Sequence, residues 1–436
     1  AGQLSIGAGG TGLALAGDVL VDAAGTLAFD IDDELTYAES LSGSGAATKT
    51  GAGTLTLTGS SPFNGTLTID GGTVVLADNG GGDLDASSVI VNNGGTFQFG
   101  FGTAGNPDLP DTTFITANDG GQVIWEEGEN VGGINLAGGG LDLKLGGLTA
   151  IATTPSQWTA GTLTGTGPTA QLLGGTGAIE KTGSGIVTVT GNASIGVTGG
   201  LGISEGTIQH ATAANLGTSD VLLGGDFTSG TFGYAGSTAV RGGTFTLNAG
   251  GGAFDVADKA ATLSLNGTLA GSGSLTKTGP GVLVIVGDNQ ASGSLVVDSG
   301  TLAVGPSAVP TDVMVANGAT FAVLNGEFPA AFTTPMLQLG STGSTLEFTL
   351  SGSGLPATPL MQVTTLNGLV TSGGSHILAV QSAQELVPGR FTLIDYEGGP
   401  ISSDFSFVAP PRVAASLVYD TLNTTIDLDV TGVSQI

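Results

Sequence analysis

The side chains that could do chemistry are few. The chain of 436 residues has only two histidines, His210 and His376, far apart in sequence. A nucleophilic triad needs a base held beside a Ser and oriented by a carboxylate. Ser is plentiful, but the G-x-S-x-G elbow is absent, so both histidines are expected on the surface or in turns. Glycoside hydrolysis needs two carboxylates about 5–9.5 Å apart. The best acidic cluster is FDIDDELTYAE, holding Asp30, Asp32, Asp33, Glu34 and Glu39. Strand alternation puts Asp30, Asp32 and Glu34 on one face, read here as a solvated outer face. A second cluster, Glu126, Glu127 and Glu129, sits beside Trp125, which suggests sugar stacking or, more simply, an exposed turn. Uronate-cleaving lyases need cationic groups and a base. The only arginines, Arg241, Arg390 and Arg412, are widely separated. No catalytic residue is assigned, and the expectation is a protein that is not an enzyme.

Metal binding has weak support in the pattern. Asp83 and Asp85 in DNGGGDLD look like calcium-binding solenoid loops, but the tandem nonapeptide is missing. With Asp30 and Asp32 they are the metal candidates, and calcium is the ion that a strongly acidic chain would attract. No other cofactor is expected. Asn64, Asn192, Asn266 and Asn423 meet N-x-[ST], a pattern that arises freely in a chain rich in Thr and Asn.

The elements around these residues follow from composition. Gly accounts for 80 residues, yet 40% of the chain is hydrophobic, which excludes a disordered linker. Gly is irregular and Pro numbers 16, which excludes collagen. Leu, Val and Ile alternate with Thr and Ser, the mark of strands with one face in a core. A net charge of −28 disfavours nucleic acid and anionic membranes as partners. There is no cysteine, hence no disulfide or thiolate chemistry. No apolar run is long enough for a transmembrane helix. The start at Ala1-Gly2-Gln3 suits a product of signal cleavage.

One long repeat stands out. Residues 41–59 read LSGSGAATKTGAGTLTLTG, 173–191 read LGGTGAIEKTGSGIVTVTG and 269–287 read LAGSGSLTKTGPGVLVIVG. Lys49, Lys181 and Lys277 share one position, followed by Gly51, Gly183 and Gly279. A second strand in each copy reaches Gly72, Gly206 and Gly300. Strands this short cannot bury their inward side chains alone, so coils must stack into a continuous core. At roughly 20–24 residues per coil the chain would hold roughly 17–20 coils. Stacked about 4.8 Å apart, they would make a rod on the order of 80–100 Å long. The three lysines are expected at equivalent places, on the outer face or at a turn, with their ammonium groups meeting nearby carboxylates. Helical periodicity is almost absent, and AAFTTPMLQL at 330–339 comes nearest to it.

These residues resemble the autotransporter-associated β-strand repeat of bacterial passengers, most clearly at 41–77, 173–211 and 269–305. GRFTLIDYEGGPISSDF at 389–405 and ASLVYDTLNTTIDLDV at 415–430 resemble the segment that closes many passengers. The resemblance implies an all-β parallel β-helix, export and a place on the bacterial cell surface, with no catalytic residues. It departs from the family in lacking the C-terminal barrel. The expected organisation is a β-solenoid body at 1–334 and a β-rich closing segment at 335–436. The expected function is a surface stalk or fibre subunit with an adhesive role. The alternatives are a monomeric adhesin for a glycan or protein, or a β-helix lyase or glycosidase. Alternating strands at 1–31 and 415–430 suggest end-to-end self-association. The rival is a closing segment around Phe391–Tyr396 that caps the end.

Overall fold

A computed structural model describes residues 2–10, 14–77, 83–101, 108–126, 128–144, 147–306, 308, 310–326, 331–350, 354–382, 386–401 and 404–433. The fold is a parallel β-solenoid of about 15 turns, fewer than the sequence suggested. The coils from Ile69 to Trp158 keep to the expected length on average, about 22 residues, but not evenly. Successive inward partners in the first ladder are Ile69, Val91, Ala117, Leu136 and Trp158, so the advance per coil is uneven and one coil takes 26 residues. The chain divides into two compact units, Ala1–Asp220 and Val221–Ile436.

In the first unit, strands stack in parallel register into three ladders. One runs from Thr26–Ile31 through Ala46–Thr50, Thr66–Ile69 and Ser88–Val91 to Phe114–Asn118. It continues through Gly133–Leu143 and Ser156–Gly165 to Ile179–Lys181 and Leu201–Ile203. A second holds Glu34–Tyr37, Thr54–Leu57, Gly72–Ala77, Gly95–Phe101 and Gln122–Trp125. The third joins Glu129–Val131, Leu148–Ala150, Gln171–Gly175 and Ala193–Val197. Alternation decides which side chains point in. In TLTL at 54–57, Leu55 and Leu57 are buried and the Thr side chains are not. Each fully buried Leu, Ile or Val contributes about 1.5–3 kcal/mol. Outside, polar side chains bridge coils: Thr50 donates to Asp30 (3.2 Å), Asn92 to Asp70 (2.6 Å) and Asn118 to Asn92 (2.6 Å). A single turn of 3-10 helix, Ala213–Leu216, is the one helical element among the described residues.

The second unit repeats the scheme. Gly230–Tyr234, Gly252–Val256, Leu275–Thr278, Leu295–Val297, Asp312–Val315 and Met336–Leu339 form one ladder. Ala239–Arg241 starts another, which runs through Thr262–Leu265, Val282–Ile285 and Thr301–Val304 to Thr320–Gly326. It then reaches Thr345–Leu350, His376–Ser382 and Phe405–Val408. The nearest helix candidate, 330–339, is instead two strands, Phe332–Thr334 and Met336–Leu339, parted at Pro335, which a helix interior would not accept. Residues 415–430 are not a further parallel rung. Val413–Asp420 and Thr425–Val433 form an antiparallel hairpin that pairs onto Gly389–Tyr396. Arg390 holds this join, with Nε 2.7 Å from Asp427 Oδ2 and Nη2 3.6 Å from Asp420.

Candidate functional site

The most specific constellation is the lysine corner, built three times. Lys49, Lys181 and Lys277 are fully buried, which corrects their expected place on the outer face. Alternation explains it. Each lysine takes an inward position in its strand: Ala47 and Lys49 are the buried residues of Ala46–Thr50, and Ile179 and Lys181 those of Ile179–Lys181. Nor do the ammonium groups meet carboxylates. Lys49 Nζ donates to the carbonyls of Thr50 (2.6 Å), Gly51 (2.9 Å) and Gly71 (3.3 Å). Lys181 Nζ donates to Thr182 (2.9 Å), Gly183 (2.5 Å) and Glu205 (3.1 Å). Lys277 Nζ donates to Thr278 (2.6 Å), Gly279 (2.8 Å) and Ser299 (3.3 Å). In each case the acceptors include the next two residues of its own turn and one carbonyl of the following coil, and Lys49 Nζ also reaches the Ile31 carbonyl of the coil before at 3.4 Å. An ammonium has three donors and finds at least three acceptors, which is how a buried cation is tolerated.

The repeated glycines make room for this. Gly206 has φ +69°, and a Cβ there would stand 2.4 Å from the Gly183 oxygen and 2.5 Å from Lys181 Nζ. Gly72 and Gly300 have the same hand, with φ +65° and +67°. Burial pulls the lysine pKa values below the ordinary range in all three corners. Asp32 and Asp30 oppose this at Lys49, Glu205 at Lys181 and Asp255 at Lys277. Lys277 is pushed down to about 8. With their side chains buried, the three lysines act as internal cation clamps on the corner carbonyls.

The other sequence candidates are placed as follows. His210 and His376 are both buried and not in surface turns. His376 Nε2 lies 2.8 Å from the Thr371 carbonyl, and its ring sits 5.9 Å from that of Phe405. Trp125 is buried and stacks on Phe99 at 4.2 Å, so it is no exposed sugar platform. Beside it, Glu126 accepts from Gln98 at 3.0 Å, Glu129 accepts from the Asn130 N–H, and Glu127 lies outside the described residues. Asp30, Asp32 and Glu34 do not share one strand. Asp30 is in Thr26–Ile31, Asp32 is in the corner after it and Glu34 opens Glu34–Tyr37. Asp32 accepts the Ala52 N–H at 3.0 Å.

Asp83 and Asp85 flank the buried Leu84 and stand near Asp108. The Asp108 carboxyl is raised by burial first and then by Asp83, Asp111 and Asp85. Among the described residues no three His, Asp or Glu side chains are grouped to hold a metal ion. Sequence reasoning missed Arg241. It is buried, lies 4.4 Å from the centroid of Phe245 and 5.3 Å from that of Phe232, and donates to the Gly242 carbonyl. Its signal was alternation in Ala239–Arg241, where Ala239 and Arg241 share the inward face.

Stacked parallel coils with a repeated internal lysine corner make this chain a solenoid repeat protein. Three segments, 48–76, 179–209 and 275–304, match the passenger-associated-transport-repeat, and each contains one lysine corner. The chain is also 27% identical over 273 residues to the adhesin BmaC autotransporter of Brucella suis biovar 1 (strain 1330). That match covers 58% of this chain and 7% of the relative. The chain therefore spans only a small part of that protein's length. No helix among the described residues is long and apolar enough to cross a membrane.

Proposed function

We propose that this chain is a surface-displayed, secreted β-solenoid of the autotransporter-passenger kind, with an adhesive and non-enzymatic role. The observation that carries this reading is the coincidence of the three repeat matches with the three buried lysine corners. The repeated lysine chemistry lies inside the wall, and the outer surface is left to side chains such as Thr, Asn, Gln and Asp. Similarity to an adhesin autotransporter supports the adhesive part. Placement of Trp125 and both histidines in the core supports the non-enzymatic part, since these side chains offer a polysaccharide neither an exposed ring nor an exposed imidazole. The partner would be a surface glycan or protein.

A stalk or fibre made by association of copies is the finer form of the same reading. Purified protein should bind extracellular-matrix proteins or glycans saturably, and heat unfolding should abolish the binding. Turnover of pectin, alginate or xylan, lost on Asp32→Asn, would overturn the non-enzymatic reading. Light scattering with and without calcium decides between fibre and monomer.

A further inference from the structure

The lysines do not sit on ordinary neighbours. In the coil before each one, the register partner is an aromatic: Phe29 for Lys49, Trp158 for Lys181 and Phe254 for Lys277. These lie 20, 23 and 23 residues upstream. In the coil after, the partner is β-branched and aliphatic: Ile69, Ile203 and Val297. The aromatics are 1% exposed or less, so each closes its lysine off from below. All three lie outside the matched repeat segments, which begin at 48, 179 and 275.

We propose that each corner is a three-coil clamp, in which an aromatic positioning residue from the preceding coil fixes the lysine stem so that its ammonium reaches the carbonyls. The clamps then determine which stretches of the solenoid stay closed while the coils between them open. The physical basis is the long, flexible lysine stem. A four-carbon chain in a loose site loses the geometry that three carbonyl bonds demand, whereas a bulky buried ring at the register position beneath narrows the paths open to it. Between the first and second clamps the described residues hold no buried cation, and the advance per turn is irregular. Local opening follows local contact quality, so protection against amide exchange should be highest around the clamps.

The test is hydrogen–deuterium exchange on the full chain. In the unaltered protein, segments 179–183 and 201–206 should exchange roughly ten- to a hundredfold more slowly than 88–101. Trp158→Leu should speed exchange at 179–183 and 203–206 by a similar factor and leave 46–51 unchanged. Trp158→Phe should restore protection, because Phe fills this place in the other two clamps. Lys181→Met should open the same segments, and the double variant should be no more open than the worse single one, since ring and ammonium act as a unit. Uniform protection along the chain overturns the proposal. So does a Trp158→Leu effect confined to 156–165, or additivity in the double variant. If Trp158→Leu does not fold, Phe29→Leu read at 46–51 and 69–72 gives the same decision, with Phe29→Trp as the restoring change.

Discussion

Replacing Lys277 by Met keeps the buried stem and removes the ammonium. Three carbonyls, those of Thr278, Gly279 and Ser299, then lose a donor at 2.6, 2.8 and 3.3 Å. A buried polar group left without its partner costs about 1–3 kcal/mol. These carbonyls lie at a partly buried corner, so the low end applies and the gross loss is about 3 kcal/mol. Against it stands the cost of burying the charge, which disappears with the ammonium and is what pushes the Lys277 pKa down to about 8. A pKa lowered from 10.5 to about 8 makes that cost about 3 kcal/mol, so the two nearly cancel, and the variant should lie within about 1 kcal/mol of the parent at pH 7, about 4 °C or less in Tm for a unit of this size.

The pH dependence gives a second, independent reading. Between about 8 and the ordinary lysine value of 10.5 the unfolded chain binds a proton that the folded chain does not. Stability therefore rises with pH across that window, and Lys49 and Lys181 contribute in the same direction. Thermal melts from pH 7 to 9.5 should show this rise, reduced in Lys277→Met. The range stops there because burial raises the pKa values of Tyr37 and Tyr234, which reverses the slope once tyrosines ionise. A variant more than about 2 kcal/mol more or less stable than the parent at pH 7, or a parent that loses stability from pH 8 to 9.5, would refute the carbonyl-clamp argument.

Gly206→Ala puts a Cβ against the Gly183 and Gly185 oxygens at a positive φ and should cost about 2–4 kcal/mol, seen as a lower urea midpoint. Trp125→Ala empties a core site against Phe99 and should cost about 3–5 kcal/mol, whereas an exposed sugar-stacking Trp would cost almost nothing. Asp427→Asn weakens the join with Arg390 and should speed amide exchange across 413–433, with about 1–2 kcal/mol lost, while the lysine corners keep their protection.

The repeat was legible because K-T-G recurs three times in a chain with so few lysines. The all-β fold was legible because Thr and apolar residues alternate. The inward direction of the lysines was not, because charge argues for the surface and the compensating acceptors are backbone carbonyls, which leave no side-chain signature. Alternation alone would have placed several residues correctly. In QVIW at 122–125, Val123 and Trp125 share a face, and in GTIQH at 206–210, Ile208 and His210 do. The flanking glutamates drew Trp125 outward in the reading, and the rarity of histidine drew His210 toward solvent. The aromatic partners of the lysines lie a whole coil away, and only the register of the stacked strands brings them into view.

Interior placement of the cations also changes the outer surface. Of eight basic residues, Lys49, Lys181, Lys277 and Arg241 are 3% exposed or less. Among those outside, Lys144 is paired with Asp142 at 2.9 Å and Arg390 with Asp420 and Asp427. Of the acidic residues, by contrast, Asp427 alone is buried among those described. The wall is therefore more one-sidedly negative than a net charge of −28 implies, because part of the balancing positive charge faces the core. Such a wall repels its own kind sideways and repels anionic surfaces, and screening falls off over about 8 Å at physiological salt. Under the adhesive reading proposed above, the partners that such a wall suits are neutral hydrogen-bonding ones such as glycans, or cationic protein patches. Those two are told apart by salt: binding to a cationic patch weakens steeply as ionic strength rises, and binding to a neutral glycan does not.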